Sequence, residues 1–219
     1  MCALKASFEP DGRFAFDLID LGIAAGSEAR EITLPNGASS IVVSWDGKMV
    51  APALKEIRDA NPENKPLHVY GMSASWMLAA IAYDILPNTV DVFNPILHGD
   101  IRVENLPQAE KLPEDNIGFV MERRGDRLYV EGYGPDGPGK DAHNYDPKKL
   151  PYAAVPAVPD DVHVCFRGTF GNPIVASIVL GFARTARSVS VKSHDDPGYI
   201  CAFSGCAEKK IGDFEPDPE

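Results

Sequence analysis

One order of local signals occurs twice in this chain and constrains its fold more than any other feature. Pro66-Leu67-His68-Val69-Tyr70 alternates as a short strand and runs into Gly71. Residues 73–86 are then almost continuously apolar, so they predict a helix buried on most faces, stopped by Pro87-Asn88. Val90-Asp91-Val92-Phe93 returns to strand, Asn94-Pro95 turns, and Asp100-Ile101-Arg102-Val103 resumes β character. Further on, Val162-His163-Val164-Cys165-Phe166 leads into Arg167-Gly168, and Asn172-Pro173 marks a helix start, with Asn172 as the N-cap. Ile174, Val175, Ile178, Val179 and Phe182 form that helix's stripe, Arg184 and Arg187 follow near its end, and Ser188-Val189-Ser190-Val191 is the next strand. A polar turn through Pro197-Gly198 and the strand Tyr199-Ile200-Cys201-Ala202-Phe203 complete the unit. Gly71 to Val90 spans 19 residues and Gly168 to Val189 spans 21, a match expected of a divergent tandem duplication. Two unrelated α/β segments sharing a common supersecondary pattern remain the alternative.

These signals divide the 219 residues into a first lobe over 1–104, a Pro-punctuated linker over 105–116, a second lobe over 117–207 and an acidic, Pro-rich tail over 208–219 that is expected to fray. Ser40 to Trp45 reads as a further strand, Asp46-Gly47 as a turn, residues 53–60 as a short helix, and residues 132–151 as an exposed loop. A net charge of −11 disfavours DNA and long RNA, whose phosphates would meet the whole acidic surface. The longest apolar runs fall far short of the roughly 20 residues that cross a bilayer, and the first ten residues lack the pattern of a signal peptide. Cys2, Cys165, Cys201 and Cys206 form no Cys-x-x-Cys pair, so a reduced, cytoplasmic protein without zinc is expected.

The run Val69-Tyr70-Gly71-Met72-Ser73-Ala74-Ser75-Trp76-Met77, the apolar helix after it and Val90-Asp91-Val92-Phe93-Asn94-Pro95-Ile96-Leu97-His98-Gly99 resemble the third family of CRISPR-associated ring nucleases. The resemblance covers residues 40–104 and, more faintly, 117–204. It implies an α/β (α+β) ferredoxin-like fold in two tandem lobes, symmetric assembly with a homodimer as the default, and a cyclic oligoadenylate, cyclic tetra-adenylate first, as ligand. It also implies phosphodiester cleavage with help from Mn²⁺ in antiviral signalling. The chain departs from the family where Asn94 replaces its Asp, Ile96 replaces its Arg, and Tyr83 or Asp84 stands in place of its His. Asn94 cannot act as a carboxylate and Ile96 cannot stabilise phosphate charge, so the first lobe reads as catalytically silent.

Residues 162–194 carry Arg167, Arg184, Arg187 and Lys192 and no acidic residue. If these four converge they suit phosphodiesters, since Arg can engage two phosphate oxygens at once; a solvated basic face is the bland alternative. The Gly168-Thr169 turn precedes a helix N-terminus that offers N–H groups to an anion, although Pro173 removes one donor. Gly71 with Ser73 and Ser75 is open to the same reading, and His98 follows Asn94-Pro95 where it could line the same pocket. His194-Asp195-Asp196 is the catalytic candidate: His194 as a proton donor, Asp195 and Asp196 as Mn²⁺ ligands, with a plain polar turn as the alternative. His68 and His163 read as packed or surface residues, and His143 as a lid residue only if its loop folds over.

Two other classes stand beside this one. A silent sensor or sponge would bind the ring without cleaving it. A small serine hydrolase would use Ser73 in the Gly-x-Ser setting, with Asp91 or Asp115 and His163 or His194, but Ser75 stands where that motif has its second Gly.

Overall fold

Alternating apolar residues at three successive strands set the first sheet. The structure, a computed structural model, describes residues 4–33, 39–71, 73–94, 98–114, 116–138, 140, 145–193 and 197–217. In chain order it comprises β1 (Ala6–Phe8), β2 (Phe14–Asp17), α1 (Leu18–Ala24), β3 (Ala29–Thr33), β4 (Ser39–Val43), α2 (Val50–Ala60), β5 (Leu67–Tyr70), α3 (Ser75–Asp84), β6 (Val90–Asn94) and β7 (Gly99–Arg102). The chain continues through β8 (Gln108–Ala109), β9 (Gly118–Arg124), β10 (Arg127–Tyr133), β11 (Val155–Pro156), β12 (His163–Arg167), α4 (Asn172–Phe182), β13 (Ser188–Lys192), β14 (Gly198–Ser204) and β15 (Phe214–Pro216).

The five-stranded sheet runs β1-β2-β5-β6-β7 and the six-stranded sheet β15-β14-β13-β12-β10-β9. In the first, β2, β5 and β6 are parallel and flanked by antiparallel β1 and β7. In the second, β10, β12 and β13 are parallel and flanked by antiparallel β9 and β14, with β15 added outside β14. Both sheets thus carry the same order of strand directions. Three neighbouring parallel strands in each sheet, β5 and β6 linked through α3 and β12 and β13 through α4, are not the β-α-β-β-α-β order of a ferredoxin-like fold, so that part of the expectation is corrected; the mixed α/β class stands.

Each sheet has one apolar face and one polar face because its residues alternate. Phe14, Phe16, Leu67, Val69, Val90 and Val92 of the first sheet, and Val130, Val164, Phe166, Val189 and Val191 of the second, join one core. Between the sheets lie α3 and α4, packed on each other, with α3 also against α2, β13 and β14. Ser75 to Ala82 of α3 and Pro173 to Phe182 of α4 are all buried. Their near-continuous apolar sequence follows from this position, since over these residues no face of either helix meets water.

Several sequence boundaries shift. The residues read as a linker are packed: Leu106 is fully buried, β8 pairs with β11, and Gln108 donates to the Gly181 carbonyl at 3.0 Å. The tail is not frayed over 214–216, where β15 completes the sheet beside β14. Within residues 132–151, Tyr145 and Leu150 are buried, so the loop is anchored to the core there. The helix read over 53–60 begins three residues earlier, after a single 3-10 turn capped by Asp46, whose side chain accepts from the Lys48 N–H.

Candidate functional site

Parallel strands deliver their C-terminal ends to one edge of a sheet, and that edge is where open α/β sheets present loops and helix N-termini. Here β5 ends at Tyr70 and turns through Gly71 into α3, and β12 ends at Arg167 and turns through Gly168 into α4. The side-chain amide of Asn172 donates to the Ser73 carbonyl at 2.6 Å, which ties the two turns together. Both helices therefore open on the same side of the molecule. Asn172 is not the N-cap expected from sequence: Gly171 holds that position, and Asn172, the first helical residue, spends its side chain on the other turn. Neither α3 nor α4 has a side-chain cap bond at its N-terminus.

Gly71 has φ +81, and a Cβ there would lie 2.9 Å from Oδ1 of Asp17. Asp17 itself caps α1, accepting from the Ile19 N–H at 2.7 Å. In the other turn, a Cβ on Gly168 would lie 3.0 Å from the ring of buried Phe170. That ring anchors the turn and leaves Thr169 exposed at its tip. Ser75 is buried at the start of α3, and Ser73 Oγ donates to the Ala74 carbonyl at 3.0 Å.

The structure brings Gly71, Ser73, Gly168, Thr169, Arg167, Lys192 and His98 to the strand C-terminal edges, with His98 exposed in the β6–β7 turn at φ 49. It does not bring the four basic residues together. Arg167 donates to Glu131 at 3.1 Å, and Lys192 pairs with Asp217 and lies 5.2 Å from the Tyr199 ring centroid. Arg184 lies beyond the far end of α4, about 16 Å away by helix rise, donating to Asn105 Oδ1 at 3.0 Å and its carbonyl at 2.9 Å. Arg187 sits at that far end too, 3.1 Å from Glu208. The expectation that Arg184 and Arg187 share a pocket with Arg167 and Lys192 is corrected: four cations close in sequence are divided between the two ends of one helix and strand.

His194, Asp195 and Asp196 lie outside the described residues, as do His143, Asp115 and Ile96. The proposed Mn²⁺ ligands are therefore not placed, and among the described residues no three His, Cys, Asp or Glu side chains are grouped to hold a metal ion. The described hydrolase candidates do not assemble around Ser73. Asp91 bonds Arg102 at 2.8 Å on the first sheet, and His163 bonds Ser188 Oγ at 2.7 Å on the second.

A polar network that the sequence did not disclose covers the outer face of the first sheet. His68, 5% exposed, lies between Glu9 at 2.8 Å and Asp100 at 2.9 Å. Tyr70 donates to Glu9 at 2.9 Å, and Arg13 reaches Asp11 at 2.7 Å, Asp100 at 3.0 Å and Glu9 at 3.1 Å. Burial pushes the Asp100 carboxyl up, but the bonds and charges of Arg13 and His68 outweigh it and hold the group below its ordinary range. Alternation alone predicts that His68 and Asp91 share one face with Tyr70; the partners Glu9 and Arg13 come from the first hairpin, whose strands are too short and mixed to read.

Comparison with known proteins adds little. No protein-family model matches the chain, and no curated protein does. Among solved structures, the Acinetobacter baumannii Cap4 SAVED/CARF-domain containing receptor with the cyclic trinucleotide 2'3'3'-cAAA aligns at 12% identity with a TM-score of 0.40. The alignment covers 72% of this chain and 43% of that one, so this chain spans less than half the receptor's length. No helix of the described residues is long and apolar enough to cross a membrane.

Proposed function

We propose that this protein binds a cyclic oligoadenylate, cyclic tetra-adenylate first among them, at the joined N-termini of α3 and α4. The carrying observation is the Asn172–Ser73 bond, which opens two uncapped helix N-termini side by side at the strand C-terminal edges. Backbone N–H groups and two aligned helix dipoles suit phosphodiester oxygens. Asp17 beside Gly71 adds a negative charge, so phosphate contacts fall mainly on the Gly168 side, next to Thr169 and Arg167, with Lys192 and His98 at the rim. The oligoadenylate identity comes from the resemblance of residues 40–104 to ring nucleases. Two lobes from a tandem duplication would supply the two turns, and the matching strand directions of both sheets support that origin.

Binding is favoured over turnover because the described residues offer phosphate donors, while in the sequence Asn94 and Ile96 stand where the resembling family has its acid and arginine. The test is calorimetry with cyclic di-, tri-, tetra- and hexa-adenylate, followed by chromatography of the ligand with and without Mn²⁺. Tight binding of one ring, returned intact, is the expected result. Thr169→Glu, at an exposed turn tip, is expected to weaken it more than tenfold, while Arg184→Ala at the far end leaves it unchanged. Linear products would restore cleavage to the proposal; no binding to any ring would overturn it.

A further inference from the structure

We infer that β9 is a docking edge for a second copy of this chain, pairing antiparallel with the other copy's β9 so that the two six-stranded sheets become continuous. This does not depend on the ligand reading above. Among the described residues β9 is the outermost strand of its sheet and pairs with β10 alone, in a register without a bulge. It has seven residues, against three for each of the edge strands β15 and β1 and four for β7. A long edge strand is normally blunted by proline, a bulge or inward charges, because its free N–H and C=O groups invite pairing. β9 has neither proline nor bulge, its one charge on the apolar face is Arg123, opposite Leu128, and it exposes Val120 by 48% and Met121 by 45%, on opposite faces of the sheet.

The choice of a second copy follows from the sequence Gly118-Phe119-Val120-Met121-Glu122-Arg123-Arg124 itself. A two-fold axis perpendicular to a continuous sheet keeps each face on its own side, so it must pass through a residue and not between residues. Centred on Met121, all seven residues pair. Met121 meets its equivalent, Phe119 faces Arg123 of the other copy, Val120 faces Glu122, and Gly118 leaves room for Arg124. No like charges face each other. Centring on Glu122 sets two carboxylates opposite, and centring on Arg123 sets two guanidinium groups opposite; cross-strand like pairs are destabilising. Centring on Val120 shortens the ladder. The strand carries two guanidinium groups against one carboxylate in a chain of net charge −11, so its own side chains add no net negative charge to this edge.

Sedimentation velocity on the full chain at increasing concentration tests the assembly. The expected limit is a species of twice the 23.7 kDa chain mass, and Met121→Glu, which places two carboxylates on the dyad, returns it to a single chain with its far-UV circular dichroism intact. Met121→Cys is expected to give a disulfide-linked pair under mild oxidation, whereas Arg123→Cys, which faces Phe119, gives none. A single-chain mass at every concentration overturns the inference. So does a dimer that survives Met121→Glu and fails to cross-link through position 121, since it would assemble by another face.

Discussion

At the scale of single residues, Asn172 shows what a sequence conceals. Asn-Pro before an apolar run reads as a helix cap, and the helix does start there, yet the side chain reaches across to the Ser73 carbonyl. Local chemistry announces that a short amide will find a backbone partner; it does not say which, because the partner lies 99 positions away. The cysteines were legible in part. Burial pushes the Cys201 thiol up to about 11 and raises Cys165 as well, while Cys206 is only half-buried. Thiolate is the reactive species, so a thiol-directed reagent at pH 7.5 is expected to label Cys206 in the native protein long before Cys165 or Cys201. Peptide mapping after brief labelling checks this, and prompt modification of Cys201 would mean that β14 opens readily.

At the scale of elements, the strands and helices with strong apolar periodicity were readable: β5, α3, β6, β12, α4, β13 and β14 fall where alternation and the apolar runs placed them. The β9–β10 hairpin was not, because charged residues crowd it and five of seven β9 positions are exposed. The supposed linker misled for the opposite reason. Its prolines suggested freedom, while single apolar residues such as Leu106 carry it into the core. Gly181, late in α4, permits that docking: a Cβ would lie 2.8 Å from Val155 Cγ2 and 3.2 Å from Leu106 Cβ. Alanine would gain about 1 kcal/mol of helix propensity, but overpacking costs about 1–3 kcal/mol. Gly181→Ala is therefore expected to lower the urea midpoint modestly, and a rise would show that β11 and the segment around Leu106 yield easily.

At the scale of the whole molecule, acid has two opposed effects. Titrating carboxylates from neutral pH first relieves the self-repulsion of a chain carrying −11. The network on the outer face of the first sheet then sets the lower limit. Asp100 is held below its ordinary range in the folded state, so its contribution is fully present above the unfolded value of about 3.9 and is lost as pH falls through the lower folded one. Urea midpoints measured from pH 6 to pH 2.5 are expected to fall below about pH 4, and Asp100→Asn is expected to flatten that fall. An unchanged slope would mean that Arg13 and His68 gain nothing from the charge. The repeated order of strand and helix signals made two similarly ordered sheets foreseeable; how they face each other was not, because an apolar helix does not reveal which surfaces will enclose it.

That enclosure also governs how the protein comes into being. α3 ends at Asp84, but β14, which covers its far side, begins only at Gly198. At translation rates of roughly 5–20 residues per second, the interval between them lasts roughly 6–23 s. For that time the nascent chain holds out an apolar helix covered on the side of α2 and bare on the side that β13 and β14 later occupy. Its early life is thus a wait in which chaperones and aggregation compete, and the last strands to be synthesised end it.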